Sequence, residues 1–287
     1  MEMETEKGTG GNRLEGVSET LLIPLWARAE ETRRPDPLFL DAWAEKLVRE
    51  MDYDFSRFDK AWMSQTGVAI RTLILDRAVG SFLKEYPEAV VINLGAGLDT
   101  RFLRLDNGGL HWFEVDLPEP IRVRRSFFKE SCRYRMIEGS IFEHSWIDDV
   151  RVEDRPVLII AEGLLMYFEK TEVRDLLVHL MSTFPGAEML LEMMTPSLVK
   201  RSRHHDAVSK TDAAHKGGVQ DPIFKWGIRN GREAAAYHPG IRFIEEWNYF
   251  DFYRERWRWM GWLARIPAFK NRFNNRIVHL AFEKENA

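Results

Sequence analysis

The chain has 287 residues, of which 45% are hydrophobic and 30% charged, which is enough for one large domain with its own core. Lys and Arg (41) nearly balance Asp and Glu (45), so the sequence lacks the broad basic surface expected of a nucleic-acid-binding protein. One cysteine, Cys132, excludes an internal disulfide, and the absence of a secretory signal or a bilayer-spanning run predicts a cytoplasmic protein that does not bind a membrane.

The first part of the chain is predicted to be helical. Residues 1–17 are polar and are predicted to be a disordered tail, and residues 18–86 are predicted to form a helical N-terminal cap. Helices are predicted at residues 18–31, 41–51 and 59–86, with Asp41 as the N-cap of the second. Apolar residues of the third helix fall roughly on one stripe, which is typical of a helix packed on one side.

From residue 87 to the end, the pattern predicts an alternation of buried strands and helices, typical of an α/β fold with a doubly wound parallel sheet. Strands are predicted at residues 89–94, 109–116, 134–138, 156–163, 188–194, 241–252 and 276–283. Helices are predicted at 121–131 and at 171–183, where Thr171 is the expected N-cap. Residues 195–240 are polar, basic and rich in His, and they are predicted to be an insertion that acts as a lid or substrate loop.

The first strand runs directly into a glycine turn. Gly95 and Gly97 allow the backbone to approach a bulky ligand at the carboxyl end of a parallel strand. Thr100 replaces the third glycine of a dinucleotide fingerprint, which argues against NAD and FAD, and no P-loop motif follows. Asp116 ends the second strand 19 residues after Gly97, where a carboxylate can accept hydrogen bonds from both hydroxyls of a ribose. The combination favours an adenosine ligand without phosphate, of which S-adenosylmethionine is the common one.

Five motifs together resemble the leucine carboxyl methyltransferase family, and more closely its bacterial branch of small-molecule O-methyltransferases of the tetracenomycin polyketide type. The motifs are Arg-Arg-Pro-Asp-Pro-Leu (33–38), Arg-Thr (71–72), Leu-Gly-Ala-Gly-Leu-Asp-Thr-Arg (94–101), Phe-Glu-Val-Asp-Leu-Pro-Glu (113–119) and Ala-Glu-Gly-Leu-Leu-Met-Tyr (161–167). The resemblance implies a class I methyltransferase (Rossmann-like) fold, in which a mostly parallel sheet of seven strands has an antiparallel last strand. It also implies the helical cap, the insertion after strand five, and S-adenosylmethionine as the cofactor.

The resemblance implies a role for each motif residue. Arg71 would bind the methionine carboxylate, Asp116 the ribose, and Glu162 would lie near the methionine amino group. After strand three, the acidic residue that the family uses to bind adenine is replaced by Ser140, so weaker binding through Ser140 and the backbone of Ile141 is expected. The cofactor-binding residues predicted in this way are Arg71, Gly95, Ala96, Gly97, Asp116, Leu117, Ser140, Ile141 and Glu162.

Tyr167 and His204 are the candidate catalytic residues, because a hydroxyl acceptor gains from a general base whereas an ionised carboxylate needs none. The aromatic region from Trp247 to Trp262 is interpreted either as core or as the wall of an acceptor pocket. No metal site is predicted. The predicted function is an S-adenosylmethionine-dependent O-methyltransferase that acts on a carboxylate or hydroxyl of a small molecule, such as a polyketide-like or other secondary metabolite. The alternatives are a protein C-terminal carboxyl methyltransferase and a non-catalytic adenosine-ligand-binding protein, and the oligomeric state is open.

Overall fold

A computed structural model describes residues 19–201 and 224–284. In these residues one seven-stranded sheet has the order β3-β2-β1-β4-β5-β7-β6. The strands are β1 (Val90–Leu94), β2 (His111–Asp116), β3 (Tyr134–Glu138), β4 (Val157–Ala161), β5 (Glu188–Met194), β6 (Ile241–Asn248) and β7 (Asn275–Phe282). Neighbouring strands among β1 to β5 are parallel, and β7 runs antiparallel to both β5 and β6. The predicted sheet, with its antiparallel last strand, is therefore confirmed.

Helices precede β1 and connect the parallel strands. Before β5 these are α1 (Leu22–Thr32), α2 (Ala42–Glu50), α3 (Trp62–Glu85), α4 (Arg101–Leu105), α5 (Pro118–Phe127) and α6 (Lys170–Thr183). After β5 the described residues contain α7 (Pro196–Val199), α8 (Gly231–Ala235), α9 (Trp259–Leu263) and α10 (Pro267–Arg272). Single 3₁₀ turns lie at Glu19–Leu21, Phe55–Phe58, His144–Asp149, Leu165–Tyr167, Tyr249–Asp251 and Arg254–Trp257.

The strand order determines where a ligand can bind. All five residues of β1 are buried, because β1 lies between β2 and β4 in the middle of the sheet. The chain continues from β1 to β2 on one side, and β4 and β5 follow on the other, so the order reverses between β1 and β4. In open α/β sheets, the crevice at the carboxyl ends of the strands at such a switch point is the usual ligand site.

Helix α3 is buried more completely than its sequence predicts. Residues 68–75 are all buried, so the apolar stripe expected on one side is not what the structure contains. The reason is that α3 packs against α1, α4, β7 and the 3₁₀ turns that follow β6. Arg71 lies within this segment and is therefore removed from solvent.

The two predicted helix caps have different outcomes. Asp41 caps α2 as predicted, since its side chain accepts a hydrogen bond from the Ala44 N–H at 2.9 Å. The prediction for Thr171 is wrong, because α6 begins one residue earlier and Glu169 is its N-cap. Glu169 and Glu172 form a reciprocal capping box, and their negative charges also favour the positive end of the helix dipole.

The other differences concern the ends of elements. β6 ends at Asn248 instead of continuing to residue 252, because the chain turns into the 3₁₀ segment Tyr249–Asp251, with the Asn248 side chain accepting from the Phe250 N–H. Helix α5 begins at Pro118, three residues before its predicted start. The tail predicted at residues 1–17 and the middle of the insertion predicted at 195–240 lie outside the described residues. Within the described ranges, none of the helices combines the length and apolar character that crossing a membrane requires.

Candidate cofactor and acceptor site

A cavity of about 490 Å³ lies at the carboxyl ends of β1 and β4. This volume falls within the range usual for small-molecule sites, ~300–1,000 Å³. Residues from the glycine turn, from α1 and α3, and from the aromatic segment after β6 contribute to its walls. The cavity therefore joins the predicted cofactor site to the segment that the sequence offers as an acceptor wall.

The glycine turn at the end of β1 needs both of its glycines. Gly95 has a φ of +63° and Gly97 a φ of +49°, a region that disfavours side chains. A Cβ atom added to Gly95 would lie 2.6 Å from Cδ1 of Leu164, which is closer than a carbon contact allows. The turn therefore requires glycine for its backbone conformation and, at Gly95, for close packing against Leu164.

Asp116 is tied to this turn by backbone hydrogen bonds. The Gly97 N–H donates to its Oδ2 and the Leu117 N–H donates to its Oδ1, both at 2.7 Å. Burial raises the pKa of Asp116, although the two backbone donors oppose the rise. Since each carboxylate oxygen has two lone pairs, both oxygens of Asp116 can still accept a ligand hydroxyl.

Arg71 lies between two buried carboxylates. Its Nε is 2.6 Å from Oε1 of Glu162, and its Nη1 donates to Oε2 of Glu192 at 2.8 Å. Burial alone would lower the pKa of Arg71, but these two carboxylates raise it above its ordinary value. Burial likewise opposes ionisation of Glu162, yet Arg71 and Arg101 hold its pKa below the usual range. Arg71 and Glu162 are therefore both ionised at neutral pH.

Arg101 extends this charge cluster to Asp76 and Asp99. Its guanidinium donates to Asp76 at 2.7 Å, to Asp99 at 2.5 Å and to Glu162 at 2.7 Å. Asp76 also accepts from Arg104, which contacts Asp41 as well and so connects the α2 cap to the cluster. Burial opposes ionisation of Asp99, but the surrounding arginines hold its pKa well below the ordinary value. The cap helices and the site are thus held together by alternating buried charges.

The opposite half of the cavity is mainly apolar. Its lining side chains include Met63, Met166, Met194, Phe224, Tyr249, Phe250, Trp257, Met260 and Phe273. Trp257 is buried and lines the cavity, so it serves both as core and as pocket wall. Trp259 and Trp262 are 62% and 65% exposed, so the core interpretation is wrong for these two residues.

The structure brings most of the predicted site residues to this one cavity. Those that line it are Arg71, Gly95, Ala96, Gly97, Asp116, Glu162 and Tyr167. Burial raises the pKa of Tyr167, so its hydroxyl stays protonated at neutral pH.

Three predicted adenine and ribose contacts lie elsewhere. Leu117, Ser140 and Ile141 are not among the residues that line the cavity. Leu117 is half exposed, and Ser140 Oγ accepts a hydrogen bond from the Phe142 N–H at 3.3 Å. The side chain of Ile141 packs in the hydrophobic core with that of Trp146. His204 lies outside the described residues.

Sequence reasoning missed several polar residues of the lining. They are Asn93, Asp99, Glu192, Asn274 and Asn275. Asn93 donates to Asp99 at 3.1 Å and to Glu114 at 2.8 Å, which fixes the acids behind the glycine turn. Glu192 carried a usable signal, since a carboxylate in the apolar strand β5 requires a partner.

The model of the family described as "Leucine carboxyl methyltransferase" matches residues 22–181, more than half of the chain. The chain belongs to this family. Among its relatives is the tetracenomycin polyketide synthesis O-methyltransferase TcmP of Streptomyces glaucescens, 35% identical over 94% of this chain and 98% of TcmP. Another is the S-adenosyl-L-methionine-dependent methyltransferase dpfgK of Gibberella zeae, 30% identical over 88% of each chain. The chain is accordingly an S-adenosylmethionine-dependent methyltransferase, as the sequence predicts.

Solved structures agree with the family fold. A DUF574 family protein from Streptomyces avermitilis matches with a TM-score of 0.56 at 12% identity, over 90% of this chain and 96% of that one. A putative methyltransferase from Thermobifida fusca matches with a TM-score of 0.54 at 13% identity, over 91% and 94%. At these identities the matches show the fold alone.

Proposed function

We propose that this family member methylates the carboxylate of a small, largely apolar acceptor. The observation that carries this proposal is the lack of a free base in the described part of the cavity lining. None of those residues is a His, Cys or Lys, and the lining acids Asp99, Asp116, Glu162 and Glu192 each accept from an arginine or a backbone N–H. A phenol gains ~10²–10⁴-fold from a general base, whereas a carboxylate is already ionised at neutral pH.

The cavity fits the cofactor chemically. When bound, S-adenosylmethionine supplies an electrophilic methyl group on a positively charged sulfur. The lining brings together a buried arginine, Arg71, suited to the methionine carboxylate, and a carboxylate held by backbone N–H groups, Asp116, suited to the ribose hydroxyls.

Three of the predicted cofactor residues that line the cavity, Arg71, Asp116 and Glu162, have a role in the proposal. The contacts of Arg71 with the two glutamates use Nε and Nη1, and we assign Nη2 to the methionine carboxylate. Asp116 accepts the ribose hydroxyls while Gly97 and Leu117 hold it in place. Glu162 lies near the methionine amino group, whereas Ser140 and Ile141, which do not line the cavity, are given no contact in the proposal.

The apolar half of the cavity positions the acceptor and excludes water. Holding two reactants in line contributes up to ~7–11 kcal/mol in favourable cases, so no further catalytic group is needed for an ionised acceptor. Arg201 is exposed and lines the cavity, with its guanidinium 4.8 Å from the centre of the Phe273 ring. Its charge attracts an anionic acceptor toward the aromatic wall.

Calorimetry with S-adenosylhomocysteine tests the cofactor half of the proposal. Micromolar binding by the parent is expected, and Asp116→Ala should weaken it at least about tenfold, or ~1.4 kcal/mol. Asp148→Ala is the matched control, because Asp148 is exposed and lies outside the cavity lining. Absence of binding by the parent, or equal loss in both variants, would contradict the assignment.

Methyl transfer to aromatic acids and to matched phenols tests the acceptor half. With a radiolabelled methyl donor, a methyl ester releases volatile methanol in base, whereas a methyl ether does not. We expect base-labile product from the acids. Base-stable product from the phenols would contradict the carboxylate proposal, and product only from the C-terminus of a peptide would favour the protein carboxyl methyltransferase.

A further inference from the structure

One buried carboxylate, that of Glu192, connects the two halves of the cavity. Its Oε2 accepts from Arg71 Nη1 at 2.8 Å and from the Gly163 N–H at 2.9 Å. Its Oε1 accepts from the Tyr249 hydroxyl at 2.8 Å and from Asn275 Nδ2 at 3.3 Å. Glu192 is 2% exposed, so these four groups replace the water that the carboxylate would otherwise bind.

The carboxylate dictates how two cavity residues are oriented. An ionised carboxylate only accepts hydrogen bonds, so Asn275 must turn its NH₂ group toward Glu192 and its amide oxygen away from it. Tyr249 must likewise direct its proton to Glu192, which leaves the lone pairs of the phenolic oxygen for another donor. Both residues line the cavity.

The amide oxygen of Asn275 has no partner in the described parts of the chain. Its Oδ1 is buried and accepts no hydrogen bond there, and the same holds for the donor Nδ2 of the preceding residue, Asn274, which also lines the cavity. A buried polar atom left unpaired costs ~1–3 kcal/mol. A ligand that brings a donor to Asn275 and an oxygen to Asn274 would remove that cost.

We propose that Asn275 and Tyr249 form a specificity subsite that accepts a hydrogen bond from a hydroxyl group of the methyl acceptor. The inference rests on the proposed function and narrows it: the preferred acceptor is a hydroxylated aromatic acid. Glu192 is a positioning residue, since it acts by holding the two acceptor atoms in orientation. The subsite distinguishes hydroxylated from unsubstituted acids by one hydrogen bond.

Binding of a matched series of acids tests the subsite without requiring turnover. The full chain, saturated with S-adenosylhomocysteine, is titrated with 2-naphthoate and with each of its monohydroxylated isomers. At least one isomer is expected to bind about tenfold more tightly than 2-naphthoate. In Asn275→Leu that ratio should fall toward one, and in Tyr249→Phe it should fall in part. Asn271→Leu is the matched control, because Asn271 is exposed and does not line the cavity.

The results separate the subsite from the proposed function. If no hydroxylated isomer binds the parent better than 2-naphthoate, or none binds at all, the subsite is wrong. The same is true if Asn275→Leu and Tyr249→Phe both keep the full ratio, and the second variant serves as the test if the first does not fold. Failure to bind S-adenosylhomocysteine would instead count against the proposed function, and the titration without it would then judge the subsite separately.

Discussion

Replacing Arg101 by Met should destabilise the fold severely. The side chain of Arg101 is 1% exposed and donates to Asp76, Asp99 and Glu162 at 2.5–2.7 Å. Without it, Asp76 still contacts Arg104 at 2.9 Å and Glu162 still contacts Arg71 at 2.6 Å.

Asp99 is the carboxylate that would lose most in this variant. Its remaining contacts include Arg104 at 4.0 Å and the Asn93 amide at 3.1 Å. One poorly compensated buried charge costs ~3–5 kcal/mol, so the free energy of unfolding should fall by that amount.

Urea unfolding at neutral pH measures this cost, with Arg135→Met as the matched control. Arg135 is 59% exposed and lies 3.4 Å from Glu130, so losing that surface pair should cost ~0–1 kcal/mol. Adding Asp99→Asn to Arg101→Met should restore part of the stability, because it removes the unpaired charge. A loss below ~1 kcal/mol in Arg101→Met, or no rescue by Asp99→Asn, would refute the reasoning.

Two further changes test the glycine turn and a buried acid. Gly95→Ala should cost ~1–2 kcal/mol of stability and weaken S-adenosylhomocysteine binding, because of its φ of +63° and the contact with Leu164. Gly80→Ala is the control, because Gly80 lies in helix α3 with open space around the new Cβ, and it should instead stabilise the protein by ~0.5–1 kcal/mol. Equal effects of the two substitutions on urea unfolding would contradict the role assigned to Gly95. Burial raises the pKa of Glu114 to about 7 against the opposing pull of Arg124, so the folded state takes up a proton that the unfolded state, with its ordinary pKa near 4.5, releases. Stability of the parent relative to Glu114→Gln should therefore rise as the pH falls from about 8 to about 5, and a difference that does not change with pH would show that Glu114 stays ionised.

The sheet could be predicted because its signals are local. Short apolar runs separated by turns predict buried parallel strands, and the observed β1, β3, β4 and β5 lie within or match the predicted ranges. The cap of α6 could not be assigned in the same way. Thr171 is a favourable cap type, but the reciprocal bonds between Glu169 and Glu172 decide where the helix begins.

The predicted cofactor residues also differ in whether a local sequence signal determines their position. Gly95, Gly97 and Asp116 are joined by a strand end and one hydrogen bond, so their proximity follows from the parallel sheet. The positions of Ser140 and Ile141 depend on the path of the loop after β3, where the side chain of Ile141 turns into the core. No periodic pattern encodes that path.

The pairing of β4 with β5 explains why Glu192 was not predicted from the sequence, and it affects the choice of variant for testing the cofactor site. Ala161 pairs with Leu191 in the register of β4 and β5, so Glu162 and Glu192 follow at the same level of neighbouring strands. Two buried carboxylates so placed repel each other, and Arg71 between them removes the repulsion. Replacing Arg71 by Ala would therefore disturb the fold as well as any cofactor contact. Loss of binding in that variant has two causes. Asp116→Ala breaks no buried ion pair, but it removes the acceptor of the Gly97 and Leu117 N–H groups, so its stability is measured together with its binding.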